Sequence, residues 1–133
     1  TVLPRQTIFS GEGKIVVPRS PDGHYYINTF VNEAPVRFVV DTGASEMVLT
    51  RKDADAAGLA SDMLNFTSRA MTANGTVETA PVRLNTVTLG FVTDHNLPAV
   101  VNGGEMSHSL LGMTYLQRWG KIEITRGELT LTR

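Results

Sequence analysis

The chain has 133 residues, of which 41% are hydrophobic, and a formal net charge of -1. This length and apolar content are enough for one folded core and argue against intrinsic disorder. Lysine and arginine are scattered without a basic stripe, so we expect no nucleic-acid partner. The absence of cysteine excludes disulfides, a thiolate nucleophile and a sulfur-rich zinc site.

The first quarter of the chain predicts an arm and a hairpin. Residues 1–13 alternate only weakly and contain proline and glycine, so we expect an N-terminal arm ahead of one domain at 14–133. Residues 14–18 predict a short strand. Residues 24–31 are rich in aromatic and β-branched side chains and predict the first strand of a hairpin that turns at 32–35.

The second strand of this hairpin leads into an acidic turn. Val36, Phe38 and Val40 alternate toward a buried face, and the tripeptide Asp41-Thr42-Gly43 follows, with Ala44-Ser45 after it. A carboxylate on a tight turn after a buried strand is held rigidly in a poorly hydrated place, as proton transfer requires. The alternative is that Asp41 only caps a turn of ordinary turn residues.

A short helix is predicted after the acidic turn. Residues 47–49 predict a buried strand, and Thr50 is placed to cap a helix over 51–57. Gly58 then provides a natural stop, because glycine takes the positive φ found at helix ends without steric cost.

Asn74-Gly75 is the strongest hairpin signal in the chain, because a tight two-residue turn requires positive φ at both positions. It separates predicted strands at 66–73 and 76–89. Within the second strand the apolar residues change alternation phase, so we expect a bend or bulge near Asn85-Thr86, where the strand changes partners.

The C-terminal third contains a second apolar motif, Leu110-Leu111-Gly112, whose leucines are expected in the core beneath the acidic turn. The other elements predicted here are a strand at 97–101 broken by proline, a loop at 102–105, a short helix at 114–119, and strands at 121–125 and 128–132 that reverse at Arg126-Gly127. The chain is therefore predicted to be mostly β with two small helices.

Three separated motifs resemble those of the retropepsin-like aspartic proteases, and most closely those of their bacterial branch. They are Val39-Val40-Asp41-Thr42-Gly43-Ala44-Ser45, then Thr72-Ala73-Asn74-Gly75 at the hairpin tip, then the run from Leu110 to Leu116. The resemblance extends from about Val36 to the C-terminus. It implies an all-β fold: a closed retropepsin-like β-barrel, equivalent to half of pepsin, with one or two short helices and a flap hairpin.

The resemblance also implies an aspartic endopeptidase that acts as a homodimer. Pepsin-like relatives carry two half-sites in one chain, whereas this sequence contains no second Asp-Thr-Gly and no second Leu-Leu-Gly. Asp41 of both subunits would meet across the dimer axis, bind one water and share one proton, because adjacent ionised carboxylates repel. The N-terminal arm would help to pair the subunits.

Roles for the neighbouring residues follow from the same resemblance. Thr42 would bond across the dimer axis, and Gly43 would let the backbone of a polypeptide substrate approach. The alternative for Thr42 is a local bond from its hydroxyl to the nearest carbonyl. The implied substrate-binding residues are Ala44, Ser45, Thr72, Ala73, Asn74, Gly75 and Leu110.

The hairpin around Asn74-Gly75 would act as a flap that covers an extended peptide and excludes water, and its alternative is an ordinary surface hairpin. The chain departs from the viral members in one respect. They place an acidic residue at the position of Ser45 and an arginine at that of Met113, and the ion pair between these residues braces their dimer. Its absence here leaves weak or substrate-driven dimerisation open.

No cofactor and no metal are expected. His24, His95 and His108 show neither i, i+4 helical pairing nor a His-Glu-x-x-His pattern. No apolar run approaches the length of a bilayer span, so we expect no membrane contact from this chain. Its location is unknown from the sequence. Because it begins at Thr1 and bacterial relatives often carry an N-terminal anchor, we expect upstream residues and a periplasmic or membrane-anchored domain.

Two other classes of function compete with the protease. A catalytically weak or non-enzymatic module for dimerisation or peptide binding would keep the same fold, and the intact Asp41-Thr42-Gly43 favours the enzyme over it. An all-β carbohydrate or lipid binder would need an aromatic platform or a large apolar cavity, of which the sequence offers little sign. We therefore expect cleavage of an extended polypeptide between largely apolar side chains.

Overall fold

The computed structural model describes residues 7–9, 13–72 and 75–133, with only the backbone at 7–9 and 72. The described strands are β1 Thr7–Phe9, β2 Lys14–Pro18, β3 Tyr26–Val31, β4 Ala34–Val40, β5 Val48–Leu49, β6 Ser68–Thr72, β7 Gly75–Leu89, β8 Val92–Asn102, β9 Ser109–Leu111, β10 Lys121–Thr125 and β11 Glu128–Thr132. The helices are α1 Arg51–Ala56 and α2 Met113–Leu116, with a 3₁₀ turn at Ser61–Met63.

Six strands close into a barrel. Their order is β3-β4-β9-β5-β8-β7, and β3 pairs again with β7 to complete the circle. Strand β6 lies outside the barrel and forms a hairpin with the first residues of β7. The predicted mostly β fold, with a closed barrel, short helices and a projecting hairpin, is therefore confirmed.

A second, four-stranded antiparallel sheet has the order β1-β2-β11-β10. Its buried side chains, among them Ile15 and Leu131, belong to the same hydrophobic cluster as those of the barrel. Within the predicted arm, β1 pairs with β2 of its own chain. Residues 1–6 and 10–12 lie outside the described residues, so the arm at 1–13, its role between subunits and the domain at 14–133 stay predictions.

The hairpin that leads to Asp41 turns more tightly than expected. Only Asn32 and Glu33 form the turn, with φ of +50° and +71°. Ala34 and Pro35 already belong to β4, so the predicted four-residue turn was wrong. Pairs of positive φ match the twist of the flanking strands, and asparagine tolerates this conformation better than most residues do.

Strand β8 is longer than the sequence suggests. It runs unbroken from Val92 to Asn102, whereas the prediction began at residue 97 and treated Pro98 as a break. In the described residues β5 pairs with β8 only at Val100 and Val101, so one edge of β8 is free at Pro98. A strand tolerates a residue without an N–H at such an edge.

The predicted bend in β7 is present, but without a bulge. Leu84 is buried in one alternation phase and Val87 in the other. Each strand contributes the same number of residues across the bend, and Asn96 on β8 turns there with φ of +56°. The Oδ1 atom of Asn32 accepts the N–H of Asn85 at 2.8 Å. At the bend the outer edge of β7 passes from β6 to β3, so the predicted change of partner is confirmed.

Asp94 on β8 holds the C-terminal residue in place. Its two carboxylate oxygens accept bonds from the guanidinium of Arg133 at 3.0 and 2.9 Å, and Nε of Arg118 lies 3.4 Å away. These partners, Arg133 first, hold the pKa of Asp94 below its ordinary value. The Arg133 guanidinium also lies 4.7 Å from the centre of the Trp119 ring. The buried carboxylate thus ties β8 to the end of β11.

We expect Asp94→Asn to lower the free energy of unfolding at neutral pH by about 2 kcal/mol, because it removes charge-assisted bonds from a buried site. The folded-state pKa lies below the unfolded one, so this stability is complete above about pH 4 and is lost as the pH falls through the folded value. Urea unfolding of the unmodified protein and the variant at several pH values measures this difference in the free energy of unfolding. Asp62→Asn, at an exposed ion pair, serves as the control, and an equal acid dependence of both variants would contradict the assignment.

Candidate active site

Asp41 lies in a turn that hydrogen bonds hold at both backbone and side chain. Its N–H donates to the carbonyl of Leu111 at 3.0 Å, and its own carbonyl accepts the N–H of Ala44 at 3.1 Å. Its carboxylate accepts the N–H of Gly43, with 3.0 Å between N and Oδ1. The half-buried carboxylate is therefore kept in one orientation at the end of β4.

The apolar motif of the C-terminal third lies against this turn. Strand β9 passes between the two strands that flank the turn, so that Leu110 is opposite Val39 of β4 on one side and Val48 of β5 on the other. Leu111 is fully buried. A strand inserted at this point fixes the separation of β4 and β5, and hence the position of the turn between them.

The chain that leaves β9 crosses the loop after Asp41 at close range. Both the N–H and the hydroxyl of Thr114 donate to the carbonyl of Ser45, at 2.7 and 2.6 Å. A Cβ atom at Gly112 would lie only 2.3 Å from the carbonyl oxygen of Glu46. No side chain fits there, so the glycine of the motif is what allows the two segments to touch.

A cleft of about 670 Å³ opens beside Asp41, between the turn, the barrel strands β5, β8 and β9, and the β6–β7 hairpin. Its lining residues are Asp41, Gly43, Ala44, Ser45, Glu46, Val48, Ser68, Arg69, Ala70, Met71, Val77, Thr79, Pro81, Val100, Asn102, Met106 and Leu110. Most of these are small or apolar. A cleft with such walls suits an extended chain whose backbone lies close to the protein.

The structure brings five of the predicted site residues together on this cleft, namely Asp41, Gly43, Ala44, Ser45 and Leu110. The flap positions are only partly described. Ala73 and Asn74 lie outside the described residues, and Thr72 is described by its backbone alone. Gly75 is the first residue of β7, opposite Thr72, and is not among the residues that line the cleft.

Thr42 is exposed and does not line the cleft. In the part of the chain that the structure describes, its hydroxyl has no hydrogen-bond partner, so the local carbonyl bond considered as an alternative is not present. Its role across a dimer axis stays a prediction.

Most of the cleft wall formed by the hairpin and β8 was not predicted from the sequence. The signal was available in the alternation of strand β7, where every second residue faces the cleft. The pairing of β7 with β6 and β8 then determines which residues of those two strands lie beside the cleft-facing residues of β7. The missed residues from these three strands are Ser68, Arg69, Ala70, Met71, Val77, Thr79, Pro81, Val100 and Asn102.

The described residues contain no cluster of three or more histidine, aspartate or glutamate side chains that would suit a metal ion. Among the same residues, no helix has both the length and the apolar character needed to cross a lipid bilayer.

Comparison with known proteins identifies the family and the fold. The family model described as "gag-polyprotein putative aspartyl protease" matches residues 27–118, which include the acidic turn, the hairpin and the Leu110-Leu111-Gly112 motif. The chain belongs to this family of retropepsin-like aspartyl proteases. The resemblance to retropepsin-like aspartic proteases that the sequence motifs indicated is thereby confirmed.

Solved retropepsin-like structures support the assignment. A retropepsin-like aspartic protease from Rickettsia conorii is 41% identical and superposes with a TM-score of 0.83, covering 90% of this chain and 98% of that one. The EIAV protease in complex with the inhibitor HBY-793 is 19% identical, with a TM-score of 0.65, and covers 82% of this chain and 100% of that one. The second likeness concerns the fold alone.

Two bacterial relatives match at the level of sequence. An uncharacterised protein of Rickettsia prowazekii is 41% identical over 119 residues, which are 90% of this chain and 51% of that protein. A protein encoded in the cobV 5′ region of a Sinorhizobium species is 36% identical over 122 residues, or 91% of this chain and 52% of that protein. The chain therefore spans about half the length of these relatives.

Proposed function

We propose that this retropepsin-like protein is an aspartic endopeptidase that hydrolyses peptide bonds in an extended polypeptide. The observation that carries the proposal is the position of Asp41. Its carboxylate is held through the Gly43 N–H, its backbone is anchored to β9, and it faces a cleft large enough for several residues of a peptide. Such fixed placement of an acid beside a groove is what proton transfer to a bound amide requires.

Each chain supplies one Asp41, so the proposed enzyme is a homodimer whose two copies of this residue form a dyad. Retropepsin-like proteases typically act as homodimers on peptide substrates. Thr42, exposed beside Asp41, is available to contact the partner subunit's Asp41 turn in such an arrangement. Two carboxylates at close range cannot both ionise easily, so the pair shares one proton.

The proposed chemistry uses the two halves of the dyad differently. The ionised Asp41 takes a proton from a water as the water oxygen bonds to the carbonyl carbon of the substrate, while the protonated Asp41 of the partner subunit donates to the carbonyl oxygen. The tetrahedral species then breaks its C–N bond as the first Asp41 gives that proton to the nitrogen, and a hydroxyl of the tetrahedral carbon returns a proton to the Asp41 of the partner subunit. No covalent bond to the enzyme forms, and each turnover consumes one water.

The β6–β7 hairpin is the proposed flap. Its strands line the cleft on the side that faces the turn through Ala70 and Val77, which are opposite each other in register. These side chains are too small or too apolar to compete with the substrate backbone for hydrogen bonds. Closure of the hairpin over a bound peptide would exclude bulk water and leave the attacking water.

Incubation with a mixed peptide library at mildly acidic pH tests the proposal. New peptide termini are identified by mass spectrometry, and sedimentation velocity gives the oligomeric state. Cleavage whose specific rate rises with protomer concentration is the expected result, because two protomers make one site. A stable dimer that binds peptides without cutting any would instead identify a peptide-binding module of the same fold.

A further inference from the structure

Three polar side chains form a row along the wall of the cleft that the hairpin and β8 provide. The register places Ser68 of β6 opposite Thr79 of β7, and Thr79 opposite Asn102 of β8. Residues directly opposite each other on neighbouring strands share a face of the sheet. All three line the cleft.

The rows on either side are apolar. Toward the hairpin tip the register pairs Ala70 with Val77, and toward the barrel it pairs Pro81 with Val100. These four side chains line the same cleft. Among the cleft residues that share this face of the three strands, the hydrogen-bonding side chains are concentrated in one row between two apolar ones, which defines one polar subsite.

The orientation of the Asn102 amide group determines where this subsite presents a hydrogen-bond donor. The residue is only 7% exposed, and its Oδ1 accepts the N–H of Gly104 at 2.7 Å. This bond orients the amide group, so that its NH₂ points away from Gly104. Among the described residues, the partner of that NH₂ is the sulfur of Met106 at 3.5 Å, and a thioether is a weak acceptor. A buried donor at the cleft is therefore left without a strong acceptor.

We propose that Ser68, Thr79 and Asn102 form a subsite for a substrate side chain that ends in a carboxamide, namely glutamine or asparagine. This inference rests on the proposed peptidase function. The Asn102 NH₂ donates to the side-chain carbonyl of the substrate. The hydroxyls of Ser68 and Thr79 accept its NH₂ protons. Both polar ends of the carboxamide are thereby matched.

Other side chains fit this subsite less well. An apolar side chain displaces water from Asn102 and leaves its donor unpaired, which costs free energy. A glutamate carboxylate loses hydration among three neutral groups. Arg69 also lines the cleft, but it alternates with Ser68 along β6 and is opposite Glu78 in register, so it does not belong to the row of Ser68, Thr79 and Asn102. The proposed subsite adds one polar position to the earlier expectation that the side chains around the scissile bond are largely apolar.

The test compares kcat/KM for peptides that differ at a single position, carrying glutamine, methionine or glutamate. The unmodified protein is expected to prefer glutamine at one position by about tenfold, the ratio that one neutral hydrogen bond supports. Thr79→Val and Asn102→Asp should each remove that preference. Asn102→Asp keeps an oxygen for the Gly104 N–H, replaces the NH₂ donor with a second carboxylate oxygen and adds a negative charge. Asn96→Asp, the same change at an exposed residue of β8, should retain the preference.

Calorimetric binding of the same peptides to the Asp41→Asn variant separates the subsite from catalysis. If nothing is cleaved but glutamine peptides bind preferentially, and Asn102→Asp abolishes the difference, the subsite stands and the peptidase proposal fails. Cleavage with no glutamine preference at any position, or with glutamate accepted equally well, overturns the subsite alone. If the peptides are neither cleaved nor bound, the subsite and the peptidase proposal are both overturned.

Discussion

Asp41→Asn is expected to lower kcat/KM for a cleaved peptide by about 10³-fold, the scale of a lost general acid-base group. The asparagine amide neither takes the proton of the attacking water nor donates one to the substrate oxygen. The substitution preserves shape, and its Oδ1 still accepts the Gly43 N–H, so the turn should remain folded. Single-peptide kinetics with matched circular dichroism and thermal unfolding measures the loss.

Mixing the two proteins tests whether the dyad spans two chains. Excess Asp41→Asn protein added to unmodified protein should capture active protomers in mixed dimers with one carboxylate. Activity should then fall about in proportion to the unmodified fraction, since partners are drawn at random from one interface type. Activity that is unaffected by any excess would mean that one chain carries a complete site, contrary to the proposed dimer.

Two other carboxylates provide controls for Asp41→Asn. Glu123→Gln removes an exposed carboxylate on β10 and should not change the rate. Glu46→Gln removes another carboxylate that lines the cleft and should retain measurable cleavage. Equal losses from Glu46→Gln and Asp41→Asn would show that the acid-base assignment to Asp41 is incomplete.

Gly112→Ala is expected to lower the free energy of unfolding by about 3 kcal/mol or more, because overpacking at backbone contacts has no flexible neighbour to relieve it. The new Cβ would meet the carbonyl oxygens of Glu46 and Ala44 at 2.3 and 2.8 Å. Relief requires the segment after β9 to move away, which breaks the bond between the Met113 N–H and the Ala44 carbonyl. Chemical denaturation measures the loss.

Gly120→Ala is the matched control for this prediction. The nearest atom that a Cβ would meet there is the carbonyl oxygen of Thr132 at 3.6 Å, which is ordinary contact. Its free energy of unfolding should change little. Because the segment around Gly112 supports the Asp41 turn, Gly112→Ala should also reduce cleavage by any protein that remains folded. A Gly112→Ala variant as stable and active as Gly120→Ala would disprove the close-contact argument.

Short-range features were predictable because their causes lie within a few residues. The turn at Arg126-Gly127 has φ of +53° and +75°, and the strands on either side begin and end where the sequence predicts. Thr50 caps α1 by accepting the Asp53 N–H at 3.0 Å, again as predicted. Cap and turn chemistry depends on the local backbone, so one segment carries all the information.

Predictions failed where the outcome depended on a neighbouring strand. Considered alone, Pro98 indicates a break in the strand. The strand continues because β5 pairs with β8 only at Val100 and Val101, beyond the proline. The four-residue turn at 32–35 proved to be two residues, since pairing of β3 with β4 extends to Val31 and Ala34. Strand pairing is a long-range property, and a single sequence does not specify how far it extends.

By itself the sequence determined the fold class, the Asp41-Thr42-Gly43 turn and the apolar motif that lies against it. These depend on residue types whose spacing reports alternation, turns and burial. Only the tertiary structure decided which side chains share the cleft, because that set is chosen by register between strands that are distant in sequence. The row of Ser68, Thr79 and Asn102 joins three strands, and each residue alone is an ordinary polar residue. Register brings them together because burial of one face fixes how β7 pairs with β8, and the hairpin turn fixes how β6 pairs with β7.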